Sequence, residues 1–131
     1  MRVNFNVDRD NIHDGGIYAL VIDGIFFFGR TNDFWKQYTK IHHKLIVGEE
    51  ISGRLTHYLE NKKVNVVDFV AAEVGDYSCE NLRRWIKQTK SRSKGFNSDK
   101  PFKELKTTIE DFILELGKNR LKRPITSPAK K

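Results

Sequence analysis

The chain has 131 residues, 38% of them hydrophobic, and a single cysteine, which suits one domain with its own core and excludes an internal disulfide framework. Its formal charge of +7 is uneven: residues 1–82 carry nine Lys or Arg against twelve Asp or Glu, whereas residues 83–131 carry fifteen against five. The second part thus has a net charge of +10, which favours a polyanionic partner such as nucleic acid, although a solvated basic surface is an alternative.

The N-terminal part of the chain predicts strands. Val3, Phe5 and Val7 alternate with polar residues, a pattern typical of a short half-buried strand. Residues 17–22 are apolar and rich in β-branched side chains, and the Asp23-Gly24 pair that follows is a strong signal for a two-residue hairpin. Residues 25–28 then form the returning strand, so the two segments should lie side by side.

Three helices and one more strand are predicted before residue 90. Thr31 or Asn32 can cap a first helix that begins near residue 33, residues 49–61 fit a second, and residues 78–89 fit a third. Residues 64–74 are rich in β-branched side chains and predict a strand. The apolar stripes are Phe34, Tyr38, Ile41 and Leu45 on the first helix, Ile51, Leu55 and Leu59 on the second, and Leu82, Trp85 and Ile86 on the third.

The C-terminal part divides into a helix and a tail. Residues 101–119 predict an amphipathic helix whose apolar stripe runs from Phe102 to Leu116, and this helix could pack on the preceding domain or on a partner. Residues 120–131 combine Pro, Ser and Lys in the manner of a flexible basic tail. We therefore divide the chain into a domain at residues 1–100, a helix at 101–119 and a tail at 120–131.

Several short motifs share one arrangement. Gly16-Ile17-Tyr18 lies on the first strand of the hairpin, FFGRTND at residues 27–33 lies on the second, and Trp85-Ile86-Lys87 is followed by Gly95-Phe96-Asn97. Over roughly residues 16–97 this arrangement resembles the GIY-YIG nuclease family. The resemblance implies an α+β domain with a small three-stranded antiparallel sheet flanked by helices, to which residues 101–131 add the helix and tail. It also implies an origin in phages or mobile elements.

The resemblance implies a site with two tyrosine hydroxyls, an arginine on the first helix, and a glutamate that holds one divalent metal ion. Tyr18 matches the first tyrosine, but Phe27 takes the place of the second and Gln37 that of the arginine. Two alignments compete for the glutamate. The late motifs place it at Leu82, which we favour, whereas Glu80 requires two extra residues in the helix.

Losing a hydroxyl, a cation and a carboxylate together predicts that cleavage is lost, because each such group typically contributes about 10²–10⁴ in rate. If the chain is an enzyme, Tyr18, Arg30 and Glu80 would be catalytic in a rearranged site, with Glu80 holding Mg²⁺. The four histidines show no metal-ligand spacing.

Three hypotheses follow. The first is a nucleic-acid-binding domain, with DNA as its ligand, that acts as a regulator or competitor without cutting. The second is a magnesium-dependent DNA endonuclease, and the third is a protein-interaction module that dimerises or docks on a partner through residues 102–116. The predicted nucleic-acid-binding residues are Arg30, Lys36, Lys40, Arg83, Arg84, Lys87, Lys90, Arg92, Lys94 and Asn97.

The composition also bears on location. The first ten residues, MRVNFNVDRD, lack the apolar segment of a signal peptide, and a lone Cys79 suits a reducing compartment. We therefore expect a soluble cytoplasmic protein with no membrane partner.

Overall fold

The computed structural model describes residues 1–91 and 95–97. In chain order the elements are β1 (Arg2–Asn6), a short 3₁₀ turn (Arg9–Asn11), β2 (Gly16–Ile22), β3 (Ile25–Thr31), α1 (Phe34–Val47), α2 (Gly53–Asn61), β4 (Val66–Val74) and α3 (Cys79–Thr89). The predicted helix at residues 101–119 and the predicted tail at 120–131 lie outside the described residues.

The four strands form one mixed sheet in the order β1-β4-β2-β3. β2 is antiparallel to both β3 and β4, as predicted for the hairpin and its partner, but β1 pairs with β4 in parallel. The α+β class is confirmed, whereas the prediction of a three-stranded, purely antiparallel sheet is wrong. The extra strand belongs to the sheet because Val3 and Phe5 of β1 pack into the same core as Phe69 of β4.

Helices cover both faces of the sheet. One face packs against α1 and α2 in a core that includes Tyr18, Phe34, Leu55 and Phe69. The other face packs against α3. The alternation of side chains along each strand sends neighbouring residues to opposite helical layers, so the face on which a residue lies decides which helix it can contact.

The hairpin between β2 and β3 forms as the sequence predicts. Asp23 and Gly24 both have positive φ angles, 54° and 79°, which a two-residue hairpin of this kind requires. The Asp23 carboxylate accepts a hydrogen bond from the Tyr58 hydroxyl at 2.7 Å and forms a salt bridge with Lys62 at 3.2 Å. The tip of the hairpin is thereby anchored to α2.

Two helix starts differ from the prediction. Asp33, rather than Thr31 or Asn32, caps α1, because its carboxylate accepts a hydrogen bond from the Lys36 backbone N–H at 3.0 Å. α2 begins at Gly53 and not at residue 49, because the Ser52 hydroxyl accepts a hydrogen bond from the Leu55 N–H and sets the helix start there.

Residues 95–97 form what we call the strap, a short segment along the outer edge of β3. The Phe96 N–H donates to the Phe26 carbonyl at 3.0 Å, and the Asn97 side chain bonds both backbone groups of Phe28 at 2.8 Å. The Phe96 ring is fully buried against Tyr58. The strap therefore occupies backbone groups that an edge strand would otherwise present to solvent.

Within the described part of the chain, none of the helices combines the length and the apolar character needed to cross a bilayer.

Candidate functional site

Tyr18 lies on the central strand β2, on the face covered by α1. Its side chain is only 5% exposed and stacks on Phe69, with ring centroids 5.1 Å apart and an interplanar angle of 9°. Gln37, on α1, donates a hydrogen bond from Nε2 to the Tyr18 hydroxyl at 3.2 Å. Gln37 and Tyr18, two positions that the sequence analysis singled out, are thus in direct contact.

The surroundings of Tyr18 keep it protonated. Burial raises the pKa of its hydroxyl to about 12, and the hydrogen bond from Gln37 offsets only part of this effect. An amide supplies a hydrogen bond but no charge, so it lacks the electrostatic pull of an arginine on a phosphate. At neutral pH Tyr18 is therefore a buried phenol rather than a base.

Phe27 and Gly29 flank this tyrosine on β3. The Phe27 ring lies 6.5 Å from the Tyr18 ring, so it contributes apolar packing and no second hydroxyl. Gly29 is the direct cross-strand partner of Tyr18, and a Cβ atom there would lie 2.3 Å from the Tyr18 hydroxyl and ring. The Tyr18 ring thus occupies the space that a side chain at Gly29 would need.

Arg30 lies on the opposite face of the sheet from Tyr18. It pairs with Ile17, which belongs to the core beneath α3. Its exposed guanidinium donates to the Tyr77 carbonyl at 3.2 Å, just before α3 begins. The structure therefore brings Arg30 to the start of α3 and does not bring it together with Tyr18.

Leu82 of α3 packs against the apolar core between α3 and the sheet. Glu80, in the first turn of the same helix, is exposed. Arg84, one turn after Glu80 on the same helix, forms its salt bridge with Glu73 of β4 at 3.2 Å. Glu73 also accepts a hydrogen bond from the Trp85 indole at 2.8 Å, which fixes α3 on the sheet.

The described residues do not fit a magnesium site around Tyr18. The hydrogen-bond partner of its hydroxyl is the Gln37 amide, whereas Mg²⁺ prefers carboxylate oxygens. In residues 1–91 and 95–97 no three His, Cys, Asp or Glu side chains come together in a way that could hold a metal ion.

The predicted nucleic-acid-binding residues are spread over three places. Arg83, Lys87 and Lys90 are exposed on α3 or at its end, and Lys36 and Lys40 are exposed on α1. Arg92 and Lys94 lie outside the described residues. Asn97 serves the strap: its Oδ1 accepts from the Phe28 N–H and the Ser91 hydroxyl, and its Nδ2 donates to the Phe28 carbonyl. Phe96, which could stack on a base only if exposed, is buried.

Sequence reasoning missed two residues that matter here. Arg54 is 3% exposed and donates from Nη1 to the Gly95 carbonyl of the strap at 3.2 Å. A charged residue in a helix ordinarily predicts a solvated position, so no sequence signal marked it. Trp35, in the first turn of α1, is 42% exposed and lies outside the apolar stripe that predicted this helix.

The state of Tyr18 can be tested by titration with base. In the unfolded chain a tyrosine ionises near pH 10, whereas Tyr18 in the folded state ionises near pH 12. Between these pH values the unfolded state releases a proton that the folded state keeps. The contribution of Tyr18 to stability is therefore fully present below pH 10 and falls by about 2 kcal/mol as the pH rises to 12.

The measurement is the ultraviolet absorbance of phenolate in native protein and in a Tyr18→Phe variant. The difference between the two titration curves should show one tyrosine that ionises about two pH units above the usual value. Burial also raises the pKa of Tyr58, so the difference between the two proteins, rather than the raw curve, is decisive. A difference curve centred near pH 10 would contradict the buried phenol.

Comparison of the chain with family models, with curated proteins and with solved structures gave no significant match.

Proposed function

We propose that the chain is a nucleic-acid-binding domain, with DNA as its ligand, on a GIY-YIG-like scaffold that no longer cleaves phosphodiesters. The observation that carries the proposal is the α3 basic face, which we define as Arg83, Lys87 and Lys90. All three side chains are exposed, and the adjacent Arg84 is neutralised by Glu73. Clustered cations of this kind bind a phosphate backbone without reading its sequence.

The environment of Tyr18 supports the loss of cleavage. Catalysis needs a group that takes a proton from water and a cation over the developing charge. Tyr18 is a buried phenol with a raised pKa, and its polar neighbour is the neutral Gln37. Leu82, at the position we assign to the metal-binding glutamate, packs in an apolar core. These three features support the loss of phosphodiester cleavage, and the α3 basic face remains available for binding.

The proposal predicts a salt-sensitive, metal-independent complex with DNA. Replacing Arg83 and Lys87 together by Gln should weaken binding about tenfold or more and reduce the slope of log affinity against log salt by about 2, because two phosphate contacts are lost. The matched control replaces Arg9 and Lys63 by Gln. These residues are also exposed and give the same change in net charge, but they lie outside the α3 basic face.

Both affinity and cutting can be followed on supercoiled plasmid, with and without Mg²⁺ or Mn²⁺. We expect gel retardation that disappears with salt and no conversion to nicked circles. Equal losses in the test and control variants would show that total charge, rather than the α3 basic face, drives binding. An absence of retardation at low salt would refute the proposal.

A rearranged magnesium-dependent endonuclease is the second candidate. One observation favours it: Arg30 reaches the Tyr77 carbonyl close to the start of α3, where Glu80 is exposed. An arginine and a carboxylate are thereby present at one end of the sheet. If plasmid is nicked only with metal, and cutting is lost in Glu80→Gln and Arg30→Gln, this function replaces the first. The Tyr18→Phe variant is prepared in parallel. Equal cutting by all of the variants would show that a contaminating nuclease is responsible.

A further inference from the structure

Arg84 borders the α3 basic face, but its side chain is bound by residues of the fold. Lys87 follows Arg84 by three residues, about 60° away around the helix, so the two exposed side chains are surface neighbours. The Arg84 guanidinium donates from Nη2 to a Glu73 carboxylate oxygen at 3.2 Å and to the Asn81 side-chain oxygen. A fourth cation therefore lies next to this face with its charge already paired.

The carboxylate that binds Arg84 is held in place by its other contacts. The same oxygen of Glu73 accepts a hydrogen bond from the Trp85 indole at 2.8 Å. The Trp85 ring packs on Phe28, with ring centroids 5.6 Å apart. Asn81, the second acceptor, is only 4% exposed. Both groups that bind Arg84 thus belong to the packing of α3 on the sheet.

The bound carboxylate changes what Arg84 can offer to a nucleic acid. An arginine suits phosphate because its planar guanidinium carries a full charge and can donate two parallel hydrogen bonds. Glu73 cancels that charge and repels a phosphate that approaches Arg84. The Arg84 side chain is nevertheless 57% exposed, and ion pairs open to water are weak. Removing the charge of Glu73 would therefore release a cation where a phosphate can reach it.

We propose that Glu73 limits the affinity of the α3 basic face by holding Arg84, which would otherwise bind one further phosphate. This inference rests on the proposed function and concerns the strength of binding at the same site. Glu73 thereby has two roles. Through Trp85 it fixes α3 on the sheet, and through Arg84 it keeps nucleic-acid binding weak and readily reversible.

Glu73→Gln tests the proposal, because it removes the charge and keeps an oxygen for the Trp85 indole. On a labelled random-sequence DNA duplex, this variant should raise the affinity about threefold, as expected for the release of an exposed ion pair. The slope of log affinity against log salt should become steeper by about 1, because one phosphate contact is added. Glu60→Gln, at an exposed position on α2, gives the same change in net charge and should raise the affinity by less than about 1.5-fold.

A double-mutant cycle shows whether Arg84 carries the gain in affinity. In an Arg84→Gln background, Glu73→Gln should raise the affinity by less than about 1.5-fold, because there is no cation to release. A threefold gain that persists without Arg84 would show that Glu73 acts only by repelling DNA, and it would refute the proposal.

A second comparison does not require the Glu73 variant to fold. Arg84→Gln and Lys87→Gln remove the same charge from neighbouring positions on one helix. Lys87→Gln should weaken binding about threefold and Arg84→Gln distinctly less, because only the lysine is available to phosphate in native protein. Equal losses in these two variants would contradict the role of Glu73.

The outcomes separate this inference from the proposed function. If native protein does not bind the duplex at low salt, the proposed function fails and this inference fails with it. If native protein binds but Glu73→Gln has the native affinity, or Glu60→Gln gains as much, only the role of Glu73 is refuted. Thermal unfolding of each variant shows whether a change in affinity comes from a change in the fold.

Discussion

Replacing Gly16 by alanine should destabilise the fold by about 4 kcal/mol or more, the largest effect we expect from a single methyl group in this chain. Gly16 pairs with Thr31 on one side and Val74 on the other. A Cβ atom at this position would lie 2.0 Å from the Glu73 carbonyl oxygen. Because that oxygen belongs to the backbone of β4, no side-chain rotation relieves the contact, and β2 and β4 must separate.

Gly29→Ala should cost about 2–4 kcal/mol for a different reason. Here the new Cβ meets the far end of the Tyr18 ring, a side chain and not backbone. Tyr18→Leu removes that end of the ring while it keeps an apolar side chain. In the Tyr18→Leu background, therefore, Gly29→Ala should cost much less, whereas Gly16→Ala should cost the same in both backgrounds.

The measurement is urea unfolding of the single and double variants, with the free energy of unfolding compared at constant m-value. The double-mutant cycle isolates the contact between the two positions and does not depend on the cost of Tyr18→Leu alone. A Gly29→Ala penalty that is equal in the two backgrounds would show that the glycine is required for some reason other than the Tyr18 ring.

Asn97→Ala should destabilise the protein by about 2–3 kcal/mol, because it leaves the Phe28 N–H and C=O without their partners. Phe28 is 1% exposed, and the Asn97 amide makes both of these bonds at 2.8 Å. The effect should appear in urea unfolding. Asn65→Ala is the matched control, since Asn65 is exposed, and such surface changes stay within about 0.5 kcal/mol.

Asn97→Asp separates the donor from the acceptor. The carboxylate can still accept from the Phe28 N–H, but its second oxygen faces the Phe28 carbonyl and repels it. Protonation would restore a donor, so the penalty relative to native protein should shrink as the pH falls through the range in which a carboxyl is protonated. A penalty that is independent of pH, or no penalty in Asn97→Ala, would contradict the role of Asn97 as the bond between strap and strand.

Gly16, Gly29 and Asn97 each have a structural role in the fold. Close packing requires glycine at Gly16, against the β4 backbone, and at Gly29, against the Tyr18 ring. Asn97 is required by the edge of β3. A chain can therefore keep these residues for its fold alone. Because packing explains them, their presence carries no information about cleavage.

The local elements were largely predictable. The Asp23-Gly24 hairpin and the apolar stripes by which α1 and α3 pack on the sheet follow from turn chemistry and side-chain periodicity. The antiparallel pairing of β2 with β4 was expected only from the family resemblance. The helix starts were less predictable, because several polar residues near Asp33 and Ser52 compete to cap the same helix. The contact between Gln37 and Tyr18 was not predicted as a hydrogen bond, although both positions were singled out.

Within residues 1–91, the sequence by itself determined which segments are strands and helices, because hydrophobic period and turn residues act over a few neighbours. The tertiary structure alone decided that β1 lies parallel to β4, and that the strap closes the edge of β3. It also decided where Glu73 points. A register shift between Ile17 and Tyr18 turns Glu73 towards α3, where it bonds Trp85. These contacts join residues far apart in the chain, and a shift of one residue moves a side chain to the other face of a sheet, so local patterns cannot specify them.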